Sequence, residues 1–224
     1  MHFVKKIFIA LMFVFMFLQA NCQTKYSFGI MASPDWTYIN GSFNYHGGDR
    51  YTTVPGYCVG ISIYKKISKH FFWTTGIGYT SKGTKTFLTF IVVDNNFNPI
   101  DTVPGTSTHK YRDLDIPILL NYKLGNSKLQ FTCSFGVVLG FALKEWVTDE
   151  LPSFTNIWNY KSNKVGPDRI NLNLGIGAMY RFNEKYTIMI EPNYKIDVRA
   201  IAETLMDDSH SFGIRTTLIY KFKY

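Results

Sequence analysis

The stretch that decides the fold is Ser211-Phe212-Gly213-Ile214-Arg215-Thr216-Thr217-Leu218-Ile219-Tyr220-Lys221-Phe222-Lys223-Tyr224. Apart from Thr216, its even positions are apolar or aromatic. Its odd positions are Ser, Gly, Arg, Thr, Ile, Lys and Lys. A period of two with one apolar and one polar face is a strand that separates two different solvents. Tyr220, Phe222 and Tyr224 sit on the apolar face at the end of that strand. Aromatics so placed suit the headgroup level of a bilayer, with lipid covering the rest of the face. The expectation is a membrane-spanning strand of a β-barrel.

Working outward, the same alternation recurs along the chain. Tyr26, Phe28, Ile30 and Ala32 share a face, as do Tyr57, Val59, Ile61 and Ile63. Phe71, Trp73, Ile77 and Tyr79 continue the pattern, followed by Leu114 to Leu124, Leu129 to Leu143, Ile170 to Phe182 and Tyr186 to Val198. With the terminal segment this predicts eight strands of about 9 to 15 residues. Sandwich strands average about 5 to 6 residues, whereas a tilted membrane strand needs about 9 to 11. The opposite face is rich in Gly, Ser, Thr and Asn: Gly60, Gly76, Gly78, Gly136, Gly140, Gly175, Gly177 and Gly213. Small residues suit the crowded inside of a narrow barrel. A soluble barrel with an apolar interior would instead carry Lys, Glu and Asp on that face. The fold expected is all-β, an eight-stranded antiparallel transmembrane β-barrel. Lys66 to Lys69, Gly125 to Ser127 and Asn183 to Lys185 are its tight periplasmic turns. Residues 34–52, 92–110, 144–168 and 200–209 are its long extracellular loops. Pro117 and Pro192, inside strands, are expected to mark bulges, with Pro192 facing lipid.

The first residues read as a separate unit. Met1 to Lys6 is a short basic start, Ile7 to Leu18 an unbroken apolar run, and Gln19-Ala20-Asn21-Cys22 a small, polar end. This is the pattern of a secretory signal peptide, too short for a spanning helix. Residues 1–22 are taken as the leader, with cleavage between Cys22 and Gln23; lipidation of Cys22 is the alternative. Residues 23–224 then form one domain. The formal charge is +8, of which Lys5 and Lys6 carry two, leaving +6. That excess is scattered rather than striped, which argues against nucleic acid as a partner. Cys58 and Cys133 fall on opposite parities and are expected to be free thiols.

The site-like residues are charges on the inward parity: Asp113, Asp115, Arg181, Glu191, Lys195, Asp197, Arg199, Arg215 and Lys221. Buried charges require partners, so they are expected to form an ion-pair network plugging the lumen. Arg181 and Arg215 are each expected to meet Glu191 or Asp197. The other reading is a rim enzyme or a small-molecule pocket in the barrel mouth; the enzyme would need Asp/His pairs at the rim, His210 with Asp207 and Asp208, approached by His109. No metal, nucleotide or nucleophile motif accompanies them. The expected state is non-enzymatic and without cofactor, with outer-membrane lipid and an envelope protein as partners.

Tyr111-Arg112-Asp113-Leu114-Asp115-Ile116-Pro117-Ile118-Leu119-Leu120-Asn121-Tyr122-Lys123-Leu124 resembles a strand of the PorT-like outer-membrane β-barrel family of Bacteroidota. Phe71 to Gly83, Gly175 to Tyr180 and Glu191-Pro192-Asn193-Tyr194 resemble neighbouring strands of that family, although Pro192 stands where arginine is common. The resemblance implies an outer-membrane location. It also implies that the last strand, with Tyr220, Phe222 and Tyr224, is what the barrel assembly machinery reads. An accessory part in type IX secretion follows only by extension, since most members have no assigned role.

Overall fold

A computed structural model of the chain describes residues 26–40, 50–93, 99–125, 127–151, 154–160, 169–198 and 208–222. The leader 1–22, Arg199, Asp207 and Tyr224 lie outside the described residues. Nine strands follow in order: β1 Tyr26–Asn40, β2 Arg50–Lys66, β3 Phe71–Val93, β4 Pro99–Leu124, β5 Leu129–Leu151, β6 Phe154–Tyr160, β7 Arg169–Arg181, β8 Tyr186–Asp197 and β9 Asp208–Lys221. All pairings are antiparallel. Eight strands close into a ring in the order β1-β2-β3-β4-β5-β7-β8-β9, with β9 returning to β1 and β6 adding to β5 outside the ring.

The alternation read from the sequence sets inside and outside. Ile30 and Ile176 are each 71% exposed on the outer wall. Phe28, Val59, Ile61, Ile77, Phe131, Phe135 and Leu218 stand out beside them. The odd positions of β1, such as Met31, Ser33, Asp35 and Thr37, are buried in the lumen. Aromatics ring the short-turn end of the wall: Phe71 meets Tyr122 at 5.0 Å, Tyr186 meets Tyr220 at 5.3 Å, and Phe28 meets Phe222 at 5.4 Å. Trp36 on Phe212 and Tyr57 near Tyr79 mark the far end of the apolar band. From Phe28 to Tyr38 the chain runs about 33 Å, or about 25 Å in height at a tilt near 40°. That matches the apolar band of membrane barrels.

Local chemistry makes the short turns. Asn183 Oδ1 accepts from the backbone of Lys185 at 2.9 Å and Tyr186 at 2.8 Å, an Asx turn that closes β7 onto β8. Gly125 has φ +90°, a left-handed position that favours glycine, where β4 turns into β5. Ser68 Oγ accepts from the backbone of Phe71 at 3.1 Å between β2 and β3.

Two expectations are corrected. Much of the segments 92–110 and 144–168 is strand rather than loop. β3 and β4 pair out to Val93 and Pro99, and β5 carries β6 as a returning strand. Thr84 to Val93 is dense in Thr, Val, Ile and Phe, the residues that favour a pleated strand, and this outweighs the Asn, Asp, Gly and Pro around it. From Ser81 to Val93, β3 continues about 40 Å beyond the band. The starts of β2 and β4 and the ends of β3 and β5 form with β6 a sheet projecting from the ring.

Nor do Pro117 and Pro192 make bulges. On each, the ladder is interrupted towards one neighbour and continuous towards the other, with no change of register. A strand residue offers its N–H to one neighbour only, so a proline pointed at β3 or β7 removes one bond and leaves the pairing intact. Pro192 is exposed on the outer wall, as expected. Register shifts occur instead between Val54 and Tyr57 and between Arg112 and Asp113, both near the rim where the projecting sheet begins, and between Val92 and Val93 towards its tip.

Candidate functional site in the barrel lumen

The lumen is built in tiers. Nearest the projecting sheet, Asp113, 1% exposed, takes Arg169 at 2.7 Å and Lys82 at 3.0 Å. Arg169 also stacks over the Tyr111 ring at 4.1 Å. Thr80 Oγ1 donates to Asp115 Oδ2 at 2.7 Å. In the next tier Lys195 Nζ reaches Asp35 Oδ2 at 3.0 Å, and Ser33 Oγ donates to Asp35 Oδ1 at 2.6 Å. Below them Arg215 Nη2 pairs with Oε1 of the fully buried Glu191. Each pair joins different strands: β4 to β7 and β3, β8 to β1, β9 to β8. The plug therefore cross-braces the ring.

Two glycines make room for these carboxylates. A Cβ on Gly213 would run into Asp35 Oδ1, and one on Gly175 would lie 2.6 Å from Glu191 Oε1. Both sites need the missing side chain because an inward carboxylate occupies its place.

Between Met31, Cys58, Asp115, Pro117 and Arg215 the remaining space is about 30 Å³. That is room for about one or two water molecules. Further along, Tyr64, Phe72, Met179, Met189 and Ile219 form a buried apolar layer across the lumen. Beyond it, at the short-turn mouth, the lumen opens into a cavity of about 370 Å³ bordered by Lys66, Lys69, His70, Lys123, Arg181 and Lys221.

The structure therefore separates the residues expected to form one network. Asp113, Asp115, Glu191, Lys195 and Arg215 sit in the braced tiers. Asp197 is half-buried at the far end of β8 and engaged with a neighbour. Arg181 and Lys221 stand at the opposite mouth. Glu191 is taken by Arg215, so the pairing expected for Arg181 with Glu191 is not made. Arg181 lies instead close enough to Lys123 and Lys221 to repel them. On a strand of this pitch about ten residues separate the two ends of the lumen, and parity alone does not record height. Sequence reading missed Asp35, Lys82 and Arg169. Each continues an inward parity already visible, as Ser33-Asp35-Thr37 does, but Asp35 lies in a segment read as a loop, Arg169 at the edge of one, and Lys82 just past the end read for its strand.

The rim histidines are absorbed in ring contacts. His210 stacks on Tyr194 at 5.8 Å, and His109 lies against Tyr111 at 6.5 Å. Among the described residues no group of three His, Cys, Asp or Glu could hold a metal ion. Cys58 is buried in the lumen and Cys133 is exposed on the outer wall, both as free thiols.

No family model matches the sequence, and neither does any curated protein. Among solved structures the chain is similar to Neisserial surface protein A at 10% identity, over 88% of this chain and 97% of that one, with TM-score 0.46. It is similar to the outer membrane protein OprG of Pseudomonas aeruginosa at 12% identity, over 90% and 96%, with TM-score 0.41. Ail, the attachment invasion locus protein of Yersinia pestis, solved with the heparin analogue sucrose octasulfate, shares 9% identity over 89% and 99%, with TM-score 0.41. At such identities and TM-scores these likenesses assign no function.

Proposed function

We propose that the chain is an outer-membrane β-barrel without catalytic activity that docks an envelope protein through the sheet projecting from its rim. The location is supported by the apolar outer wall, its two aromatic borders and the polar lumen, an arrangement only lipid satisfies on the outside. Docking is supported above all by β6. Among the described residues β6 pairs with β5 alone and has no neighbour along its other edge over its whole length, whereas β2, β3 and β4 are open on one side only at their projecting ends, Arg50–Thr53, Leu88–Val93 and Pro99–Gly105. An open edge of backbone N–H and C=O groups accepts an extended segment of a partner. The braced lumen argues against transport.

Fractionation and labelling test the location. The protein is expected with outer membranes and to migrate differently on gels with and without heating. An apolar maleimide should label Cys133 from the bilayer and leave Cys58 untouched; labelling of Cys58 first would mean that the wall is reversed. In planar bilayers no steady conductance is expected. For docking, Ile157→Pro and Trp158→Pro, adjacent residues whose N–H groups face opposite edges of β6, each remove a donor without touching the ring, and one of the two removes it from the open edge. A partner captured by the unaltered protein in mild detergent should be lost in at least one variant, and its retention in both would rule out the β6 edge.

The strand Tyr111 to Leu124 supports a second reading, an accessory role in type IX secretion, as the namesake member of the PorT-like family it resembles has. A deletion strain with normal export of secreted cargo would exclude it.

A further inference from the structure

The short-turn mouth has a chemistry that neither docking nor bracing uses. Its cavity of about 370 Å³ is large enough for a small organic ligand. The cations around it come from separate places in the chain. Lys66 ends β2 and Lys69 lies in the following turn. Lys123 is the last residue but one of β4, Arg181 ends β7, and Lys221 ends β9. The turn is held in place by the backbone of His70, whose O accepts from Lys123 N at 2.7 Å, and by the His70 ring, whose Nδ1 lies 3.1 Å from Lys123 O. Lys123, Arg181 and Lys221 are half-buried, and their charges act on one another.

Among the described residues no carboxylate lines the cavity. Glu184 is the single acidic residue in the described short turns, and it is not among the lining residues. Elsewhere in this lumen the buried carboxylates Asp35, Asp113 and Glu191 are each matched with a cation. Here several cations converge, and the apolar layer containing Tyr64, Phe72, Met179 and Ile219 closes the space behind them.

The geometry points to an anion site at the short-turn mouth that takes a phosphate-bearing ligand. A single carboxylate would leave most of this charge unmatched, whereas a phosphate ester or pyrophosphate brings two or more charges and several acceptor oxygens. Arg181 offers a planar fork suited to two phosphate oxygens, and Lys123 and Lys221 act as point charges beside it. Ser68 and Gln130 add neutral polar groups to the lining, and the Tyr64 and Phe72 rings suit the organic part of an ester. The phosphate could belong to a free small molecule or to a lipid headgroup reaching over the rim. This inference goes beyond the proposed docking role and stands apart from it.

The test is calorimetric titration of the full folded barrel in octyl glucoside with inorganic pyrophosphate. Saturable binding at one site is expected. Arg181→Gln and Lys221→Gln should each weaken it about tenfold, the loss of one charged hydrogen bond. Lys110→Gln makes the same change of charge at an exposed position beyond the other end of the ring and should leave affinity within about twofold, since salt screens that distance. Heat-modifiable mobility confirms that each variant is folded; if Arg181→Gln is not, Lys123→Gln takes its place. Repeating the titration in nanodiscs separates the sources. Binding in phosphatidylcholine but not in phosphatidylglycerol discs means that a lipid headgroup fills the site. Equal binding in both means a free phosphate compound does. No binding of pyrophosphate in octyl glucoside would overturn the site, as would equal losses in Lys110→Gln and Lys221→Gln. So would binding of a glutamate-rich peptide in preference to pyrophosphate. None of these outcomes alters the reading of location or docking.

Discussion

The two halves of the lumen treat charge in opposite ways. In the tiers towards the projecting sheet, Asp113 holds Arg169 and Lys82, Asp35 holds Lys195, and Glu191 holds Arg215. At the short-turn mouth Lys66, Lys123, Arg181 and Lys221 face one another around open space. The tiers are buried, where an unmatched charge is too costly to keep. The mouth is wetter, where like charges can persist at modest cost and await a counter-charge. The inward charges of one barrel thus divide into those that hold the ring together and those free to bind.

The largest effect should come from breaking a brace. Glu191→Leu strands the Arg215 guanidinium in the lumen and should destabilise the barrel by about 3–5 kcal/mol. Removing both partners, Glu191→Leu with Arg215→Met, should recover much of that loss. Thermal unfolding followed by gel mobility measures both. A single variant as stable as the unaltered protein would break the comparison, because Glu191 would then not be a brace.

A smaller loss should follow from crowding the same tiers. Gly213→Ala sets a methyl group against the Asp35 carboxylate. Overpacking of this kind costs about 1–3 kcal/mol. The change should be eased when Asp35 is also shortened, Asp35→Ser, in a double-mutant comparison; independence of the two would mean that the glycine is not there to admit the carboxylate.

On the outer wall the expected equilibrium effect is smaller again. Phe222→Asp puts a charge at the aromatic border, worth about 0–1 kcal/mol so near the interface. Its main consequence should be poor assembly, read as periplasmic degradation, if the last strand is the recognition signal. Wild-type levels in the membrane would remove Phe222 from that role.

The smallest effect sharpens the contrast most. Lys221→Gln relieves repulsion at the mouth and should leave the unfolding temperature unchanged or slightly raised. A loss of stability comparable to Glu191→Leu would show that Lys221 is a brace after all, and would erase the difference between the two halves.

The alternation of Phe212 to Phe222 determined by itself that β9 has a lipid-like and a polar face, and the same period places Asp113, Asp115, Glu191, Lys195 and Arg215 inside. The turns at Lys66, Gly125 and Asn183 were equally legible, because an Asx turn and a left-handed glycine are local chemistry. Three things were decided only by the closed ring. The first is height: Arg181 and Arg215 share an inward parity, yet strand tilt and register put one at the mouth and the other against Glu191. The second is the tolerance of Pro117 and Pro192, which depends on which neighbour each absent N–H would have faced. The third is the fate of the segments read as loops, where β3, β4 and β5 run on because each finds a partner strand beside it. Period fixes which solvent a side chain meets; only pairing across the ring fixes which other side chain it meets.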